Sequence, residues 1–371
     1  MTTAEIEKAG APTAPDDAAI QKLKASLRGK LIRPDDNDYD TTRRIFNGRV
    51  DKRPALIARC AGAADVIASV NFAREHGMVV SVRSGGHGST GAAVCEGGLM
   101  IDLSGMKGIR VDPERRTARI EPGVLTGELD REAQAFGLAT PTGICSVTGL
   151  AGVTLGGGLG WLGRKYGLTI DNLLSADIVT ADGKLRTASA TENEDLFWAI
   201  RGGGGNFGVI TSLEYALHQV GPIVVGGLSL FPMEEAENVL HFYREFTAHA
   251  PDEMTASVLF LPAPPAPFVP PHLHGKRMVA LALCYAGSIE DGMREAAPLR
   301  AFGTPAAQMI GPLPFVVLQS ISDDSAVAGQ LSYNRAHYLN ELGDECLSSL
   351  IAEVNKVPAG GGLAIIRHLG G

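Results

Sequence analysis

Short clusters of glycine constrain this chain more than any other feature of its sequence. It has 46 glycines among 371 residues, and many stand in groups such as Gly156-Gly157-Gly158 and Gly202-Gly203-Gly204-Gly205. Grouped glycines indicate places where the backbone takes a positive φ or closely approaches a ligand. We therefore expect a fold with several tight loops that face a ligand.

Helix and strand patterns interleave along the first part of the chain. The stretch from Gly62 to Gly77 predicts a helix, because its apolar residues fall on one face and Gly77 suits the C-terminal cap. Strand patterns then follow in close succession at 78–82, 99–102, 109–111 and 117–120. So many close-set strands favour an α+β fold over a doubly wound parallel sheet.

The chain changes character after His218. Beyond that point, 262–271 is rich in proline, and amphipathic helix patterns at 234–250 and 338–354 alternate with strand patterns. We predict a flexible N-terminal tail over 1–19, a first domain over 20–218 and a second domain over 219–371.

Composition excludes several classes of protein. The net charge of -8, without a run of Lys and Arg, argues against a nucleic-acid partner. No stretch approaches the roughly 20 apolar residues that span a membrane. The five cysteines are widely spaced and form no CxxC pair, which favours neither a metal site nor a disulfide framework. We predict a cytoplasmic protein without metal.

The pattern G-x-G-x-x-G occurs at Gly86-Gly88-Gly91, Gly158-Gly160-Gly163 and Gly203-Gly205-Gly208. A nicotinamide dinucleotide site requires this pattern after a strand and at the start of a helix. The first match follows a strand pattern but precedes no helix pattern, and the third runs directly into a strand pattern. We expect no match to open a helix and therefore no nicotinamide site.

A different use of glycine is predicted for the loop from Arg83 to Gly88, which follows a strand. Its backbone amides, the Ser84 hydroxyl and the Arg83 charge can together surround an anion such as a pyrophosphate. His87 in this loop is either a turn residue with a hydrogen-bonding role or a functional group, and the loop by itself leaves both interpretations open.

A set of motifs in a fixed order connects this loop with a known family. The motifs are Val82-Arg83-Ser84-Gly85-Gly86-His87, Pro122-Gly123, Gly143-Ile144-Cys145, the run from Thr148 to Trp161, Arg164-Lys165-Tyr166-Gly167-Leu168, Asp171-Asn172-Leu173-Leu174, Ala181-Asp182-Gly183, Phe197-Trp198-Ala199-Ile200-Arg201-Gly202 and Asn206-Phe207-Gly208-Val209-Ile210. Over some two hundred residues the chain resembles the FAD-linked oxidases of the vanillyl-alcohol oxidase type, in particular the berberine-bridge-enzyme-like branch. The resemblance implies a PCMH-type FAD-binding domain of two subdomains and an α/β substrate domain with an antiparallel sheet.

The resemblance also implies which residues hold FAD. The loop from Arg83 wraps the pyrophosphate, and His87 bonds covalently to the ring methyl of the flavin. Cys145 either forms a second covalent bond to the flavin ring or is a packing residue, as in relatives with an aliphatic residue there. The run from Gly149 to Gly160 passes the isoalloxazine ring, and Asn206 to Ile210 hold the adenosine end. The implied cofactor-binding residues are Arg83, Ser84, Gly85, Gly86, His87, Gly88, Ser89, Cys145, Thr148, Gly149, Gly152, Leu155, Gly156, Gly158, Gly160, Asn206, Gly208, Val209 and Ile210.

The activity implied is hydride transfer from an alcohol or amine carbon of a small organic substrate to FAD, with dioxygen as acceptor and hydrogen peroxide as product. The alternatives are a dehydrogenase of the same fold with another acceptor, and an inactive flavin-binding remnant. No catalytic base is identified, because Leu159 stands where some relatives have a tyrosine. Relatives continue beyond the position of Gly371, so we expect the second domain of these 371 residues to be incomplete and the chain to be a weak catalyst.

Overall fold

The computed structural model describes residues 15–358 and 361–370. Its α-helices are α1 (Asp17–Ser26), α2 (Tyr39–Arg43), α3 (Ala63–Glu75), α4 (Thr126–Gln134), α5 (Leu150–Leu155), α6 (Gly163–Tyr166), α7 (Glu194–Ile200), α8 (Ala236–Ala248), α9 (Ile289–Glu295), α10 (Ala297–Ala301), α11 (Phe315–Gln319) and α12 (Asp344–Lys356). Its strands are β1 (Lys30–Ile32), β2 (Leu56–Arg59), β3 (Val80–Arg83), β4 (Leu99–Asp102), β5 (Ile109–Asp112), β6 (Thr117–Ile120), β7 (Leu138–Ala139), β8 (Leu173–Val179), β9 (Leu185–Ser189), β10 (Val209–Ala216), β11 (His218–Gln219), β12 (Ile223–Pro232), β13 (Met254–Pro262), β14 (Arg277–Tyr285), β15 (Ala307–Pro314) and β16 (Ala364–Arg367).

These strands form three main sheets. The first sheet has the order β1-β2-β4-β3, and β4 runs parallel to both β2 and β3. The second sheet is antiparallel with the order β5-β6-β10-β8-β9. The third sheet is also antiparallel, with the order β15-β12-β14-β13-β16. β7 and β11 form a separate short pair.

The parallel pairing in the first sheet depends on α3, which connects β2 to β3 as a crossover. Val66, Val70 and Ala73 lie on the buried face of this helix and pack against the first sheet. The helix ends at Glu75, and Gly77 turns the chain with a φ of 59°. This turn returns the chain to β3, so the loop after β3 is presented at the carboxyl edge of the sheet.

The third sheet carries a core on each face. On one face, α8 and α12 cover side chains such as Phe231 and Phe260. On the other face, Leu228 and Leu230 pack with Trp161 and Leu162, which follow the glycine-rich run. The third sheet therefore contacts the predicted cofactor loops directly.

The interleaved helices and close-set strands confirm the predicted α+β class. The expected helices at 62–77 and 234–250 correspond to α3 and α8, with ends displaced by one or two residues. The expected helix at 338–354 corresponds to α12, which begins only at Asp344. The second sheet ends at Ala216 and the third begins at Ile223, while the division into domains stays a prediction. Of the predicted tail, residues 1–14 lie outside the described residues, and α1 begins at Asp17.

Among residues 15–358 and 361–370, no helix is both long enough and apolar enough to cross a membrane. The same residues contain no group of three or more His, Cys, Asp or Glu side chains that could hold a metal ion.

Candidate functional site

Two glycine loops meet at the carboxyl edge of the first sheet. One follows β3, and the other leads into α5. A methyl group on Gly149 would lie 2.4 Å from the backbone nitrogen of Gly85, and one on Gly85 would lie 2.5 Å from the Cα of Gly149. Real Cβ atoms do not approach backbone so closely, so both positions require glycine.

Hydrogen bonds with the segment that leads into α4 hold this meeting point in place. The Ser84 hydroxyl donates to the carbonyl of Pro122 over 2.6 Å. The backbone N–H of Thr126 donates to the carbonyl of Thr148 over 2.9 Å. Both loops are therefore fixed to the same short segment of chain.

The first loop contains a run of backbone donors without a partner among the described residues. Within the described part of the chain, the N–H groups of Gly85, Gly86, His87 and Gly88 donate no hydrogen bond. Consecutive amides without an acceptor form a concave site for an anion. A pyrophosphate would satisfy these amides, so the loop fits the phosphate end of FAD.

Arg83 does not extend its charge into this site. Its guanidinium donates to both oxygens of Asp102, over 3.0 and 2.7 Å, and to the backbone carbonyls of Thr42 and Arg44. Although burial alone would raise the pKa of Asp102, the hydrogen bond from Arg83 holds it below its ordinary value. The guanidinium that we expected to meet the pyrophosphate is therefore held behind the loop by Asp102, and Arg83 anchors β3 instead.

The His87 imidazole is half-buried against an aromatic ring. It stacks on Phe46 with a distance of 3.7 Å between ring centroids. Its Nε2 is buried and has no hydrogen-bond partner among the described residues. Burial lowers the pKa of His87, so the ring is neutral at neutral pH. A neutral imidazole has a ring nitrogen with a free electron pair, which is the form that can bond to a cofactor.

Cys145 lies against the carboxylate of Asp323, which no motif in the sequence indicates. Its Sγ donates to Oδ1 of Asp323 over 3.3 Å. Asp323 also accepts the backbone N–H of Ser146 over 2.9 Å and the Ser146 hydroxyl. Burial, and secondarily Asp323, raises the pKa of the Cys145 thiol. Cys145 is therefore a thiol and not a thiolate at neutral pH.

The glycines of the predicted ring-facing run differ in their surroundings. A methyl on Gly160 would lie 2.0 Å from the Thr142 carbonyl oxygen, so the fold itself requires that glycine. A methyl on Gly152 would meet nothing within 4 Å, and the same holds for Gly88 in the first loop. The described residues leave space at these two positions, which is where a bound group could lie.

The other predicted site residues are placed as follows. Leu155 ends α5 and packs against the core of the second sheet, together with the buried Ile210. The turn over 204–207 contacts α5, and a methyl on Gly208 would lie 2.5 Å from the Val179 carbonyl oxygen. Asn206 donates to the Gly203 carbonyl over 2.8 Å, while the Ser89 carbonyl accepts a hydrogen bond from Asn47 over 3.1 Å.

One expectation about the G-x-G-x-x-G matches is wrong. Gly163 of the second match begins the short helix α6. The match nevertheless follows α5 rather than a strand, so it lacks the strand that a nicotinamide site requires. The third match runs directly into β10, as expected.

Comparison with known proteins supports the cofactor assignment. The family described as FAD binding domain matches residues 54–189, a range that contains His87 and Cys145. An FAD-linked oxidoreductase of Dictyostelium discoideum is 32% identical over 356 residues, which cover 95% of this chain and 75% of that protein. The (R)-6-hydroxynicotine oxidase of Paenarthrobacter nicotinovorans is 38% identical over 285 residues, which cover 77% of this chain and 61% of that protein.

The fold has a counterpart among solved structures. The BBE-like 1 protein of Physcomitrella patens superposes with a TM-score of 0.80 at 23% identity, covering 95% of this chain and 77% of the other. This likeness concerns the fold, and together with the family match it confirms the predicted combination of an FAD-binding domain with an α/β domain.

Proposed function

The chain belongs to the family of FAD-linked oxidoreductases, and from this we propose that it is an FAD-dependent oxidase of small organic substrates. When bound, FAD supplies a ring that accepts hydride from a carbon bearing an alcohol or an amine and passes the electrons to dioxygen, which becomes hydrogen peroxide. The protein's part is to hold that ring, to orient the substrate and to exclude water.

The observation that carries the proposal is the meeting of the two glycine loops at Gly85 and Gly149. It brings the free amides of 85–88 together with the loop that leads into α5. We assign the amides to the pyrophosphate, the space at Gly88 and Gly152 to the cofactor, and the turn over 206–210 to the adenosine end.

Covalent attachment through His87 forms part of the proposal. The ring is neutral and stacks on Phe46, and Nε2 lacks a partner among the described residues. A second bond through Cys145 requires the thiol to lose its proton, and Asp323 is the acceptor next to it. In the alternative, Cys145 is a packing residue that Asp323 holds as a thiol.

The remaining assignments concern the whole chain. We propose that residues 20–218 bind FAD and that residues 219–371 form the substrate side of the site, since the third sheet packs against Trp161 and Leu162. A cytoplasmic location is supported by the cysteines, because all five are free thiols, as expected in a reducing compartment.

Attachment can be tested by mass spectrometry of the acid-denatured protein. We expect the flavin mass to remain on the wild-type chain and His87→Ala to lose most of it. Cys145→Ala tests the second bond: if His87→Ala retains flavin and the double variant does not, Cys145 is an attachment site. A wild-type chain at its unmodified mass after full loading with FAD would contradict both assignments.

The oxidase activity can be tested with the purified yellow protein and a panel of alcohols, amines and sugars. We expect stoichiometric hydrogen peroxide whenever a substrate bleaches the flavin under anaerobic conditions. Bleached flavin that air reoxidises slowly, but that an artificial acceptor reoxidises quickly, would identify a dehydrogenase instead. Flavin that no member of the panel bleaches would favour the inactive remnant.

A further inference from the structure

Arg367 lies on the face of the third sheet that looks toward the cofactor loops. In the register of β13 and β16, Arg367 stands opposite Ser257, and Ile365 stands opposite Leu259. Paired residues of neighbouring strands project from the same face of a sheet. Leu259 packs with Trp161 and Leu162, so the side chain of Arg367 projects toward the glycine-rich run.

The guanidinium reaches that run directly. Its Nη1 lies 3.4 Å from the carbonyl oxygen of Leu159, a long hydrogen bond. Leu159 lies between Gly158 and Gly160, in the stretch that the family resemblance places beside the flavin ring. Arg367 therefore lies between the substrate-side sheet and the ring-facing loop.

The charge of Arg367 is unbalanced within the described residues. No Asp or Glu among them lies within 4.0 Å of it, and burial lowers its pKa. Arg367 is partly buried, and a cation that loses part of its hydration without gaining an anion is destabilised. A single long hydrogen bond leaves most of its five N–H donors unused.

Another arginine of the same sheet shows that this arrangement is unusual. Arg277 begins β14 and also has no carboxylate partner among the described residues, but its guanidinium donates to the carbonyls of Val354, Pro358 and Gly361 over 3.2, 2.8 and 2.6 Å. Its donors are satisfied by the protein, whereas those of Arg367 are not.

The groups around Arg367 do not supply the missing negative charge. Arg164 adds a second cation, which donates to the carbonyls of Pro251 and Met254 over 2.7 Å each and to Asp252 over 3.5 Å. His368 lies next in sequence, and its buried Nδ1 has no partner among the described residues. The Tyr243 hydroxyl donates to the Ala256 carbonyl over 3.2 Å. The surroundings thus favour an anion from outside.

We propose that the substrate is a small carboxylic acid and that Arg367 binds its carboxylate. The substrate then carries both the alcohol or amine carbon to be oxidised and an acid group, as a hydroxy acid, an amino acid or a uronic acid does. A planar guanidinium binds a carboxylate through two parallel hydrogen bonds, which would fix the reacting carbon relative to the ring. This inference rests on the proposed placement of FAD at the glycine loops.

The test measures binding to the flavin-loaded protein without requiring turnover. Sodium benzoate and acetate are titrated beside their neutral counterparts, benzamide and acetamide, while the absorption spectrum of the flavin is followed. We expect each carboxylate to bind more tightly than its amide. In Arg367→Gln the carboxylate Kd should rise roughly tenfold to a hundredfold, the value of a hydrogen bond to a charged group. Arg367→Lys should keep part of the affinity, and Arg277→Gln should keep all of it.

Separate readouts distinguish the two levels of the proposal. A protein that acquires no flavin spectrum contradicts the proposed function. A flavin-loaded protein that binds amides as well as carboxylates, that binds neither, or whose carboxylate affinity is unchanged in Arg367→Gln, overturns the assignment of Arg367. The flavin content and melting temperature of each variant show whether it is folded, and Arg367→Lys provides the comparison if the glutamine variant is not.

Discussion

A single carboxylate, Asp323, adds to the effect of burial on the chemical state of Cys145. Its carboxylate accepts a hydrogen bond from the Cys145 thiol and two more from the backbone N–H and the hydroxyl of Ser146. The negative charge disfavours a thiolate beside it, which adds to the effect of burial on the thiol pKa. The same oxygen atoms are the nearest acceptors for the thiol proton when the sulfur reacts. Asp323 therefore disfavours the thiolate and also offers a site for its proton.

Replacing Asp323 should change the pH dependence of thiol reactivity. Because Asp323 raises the thiol pKa, Asp323→Asn should lower it, and alkylation of Cys145 by iodoacetamide in the flavin-free protein should begin at a lower pH than in the wild type. Peptide mass spectrometry across a pH series measures this for Cys145 alone. Asp324→Asn, at the exposed neighbouring position, should leave the profile unchanged. Coincident profiles for Asp323→Asn and wild type would show that burial alone sets the reactivity.

At the scale of elements, the loop after β3 and the loop before α5 act as a pair. A methyl group on Gly149 would collide with the backbone of Gly85, so the fold requires glycine there. A methyl group on Gly88 would meet no atom of the described residues within 4 Å. The two glycines therefore have different roles, one in folding and one in leaving room for the cofactor.

Two alanine variants separate these roles. Gly149→Ala should destabilise the flavin-free protein by about 1 to 3 kcal/mol, because a methyl group there forces the loops apart. Gly88→Ala should leave the unfolding free energy of the flavin-free protein unchanged and weaken FAD loading. Chemical denaturation and flavin titration of both variants measure the two effects. Normal FAD loading in Gly88→Ala would place the cofactor elsewhere.

The elements themselves could be predicted from local patterns, and the contacts between distant elements could not. The bounds of α3 follow from apolar spacing and a terminal glycine, which are properties of adjacent residues. The stacking of Phe46 on His87 and the contact of Asp323 with Cys145 join residues far apart in sequence, and nothing near Phe46 or Asp323 signals them. Arg83 illustrates the same limit, since its pairing with Asp102 depends on the alignment of β3 with β4.

At the scale of the whole molecule, the second half of the chain braces both loops that carry the proposed attachment residues. Gln319 donates to the Thr142 hydroxyl and the Gly143 carbonyl over 2.8 and 2.6 Å, just before Cys145. Farther along, Gly329 donates to the carbonyl of Phe46 over 2.8 Å, and Phe46 in turn donates to the carbonyl of Gly86 over 3.0 Å. Neither loop is held by the first half of the chain alone.

Removing the hydrogen bonds of Gln319 should lower the unfolding free energy measurably. Gln319 is buried, and Gln319→Ala removes the donor to the buried Thr142 hydroxyl and one of the two donors to the Gly143 carbonyl, which should lower the unfolding free energy by about 1 to 3 kcal/mol. Ser320→Ala, at the exposed adjacent position, should have little effect. Urea denaturation of both variants tests this, and equal stability of Gln319→Ala and wild type would show that water replaces the lost bonds.

The bracing residues come late in the sequence, so they are synthesised after the two loops that they hold. A protein is synthesised from its N-terminus, and its early segments leave the ribosome first. The His87 and Cys145 loops emerge well before residues 319–332, so a nascent chain carries both loops while neither brace exists. We expect capture of the cofactor to be a late step of biosynthesis, which follows translation of the bracing segment instead of accompanying translation of the loops.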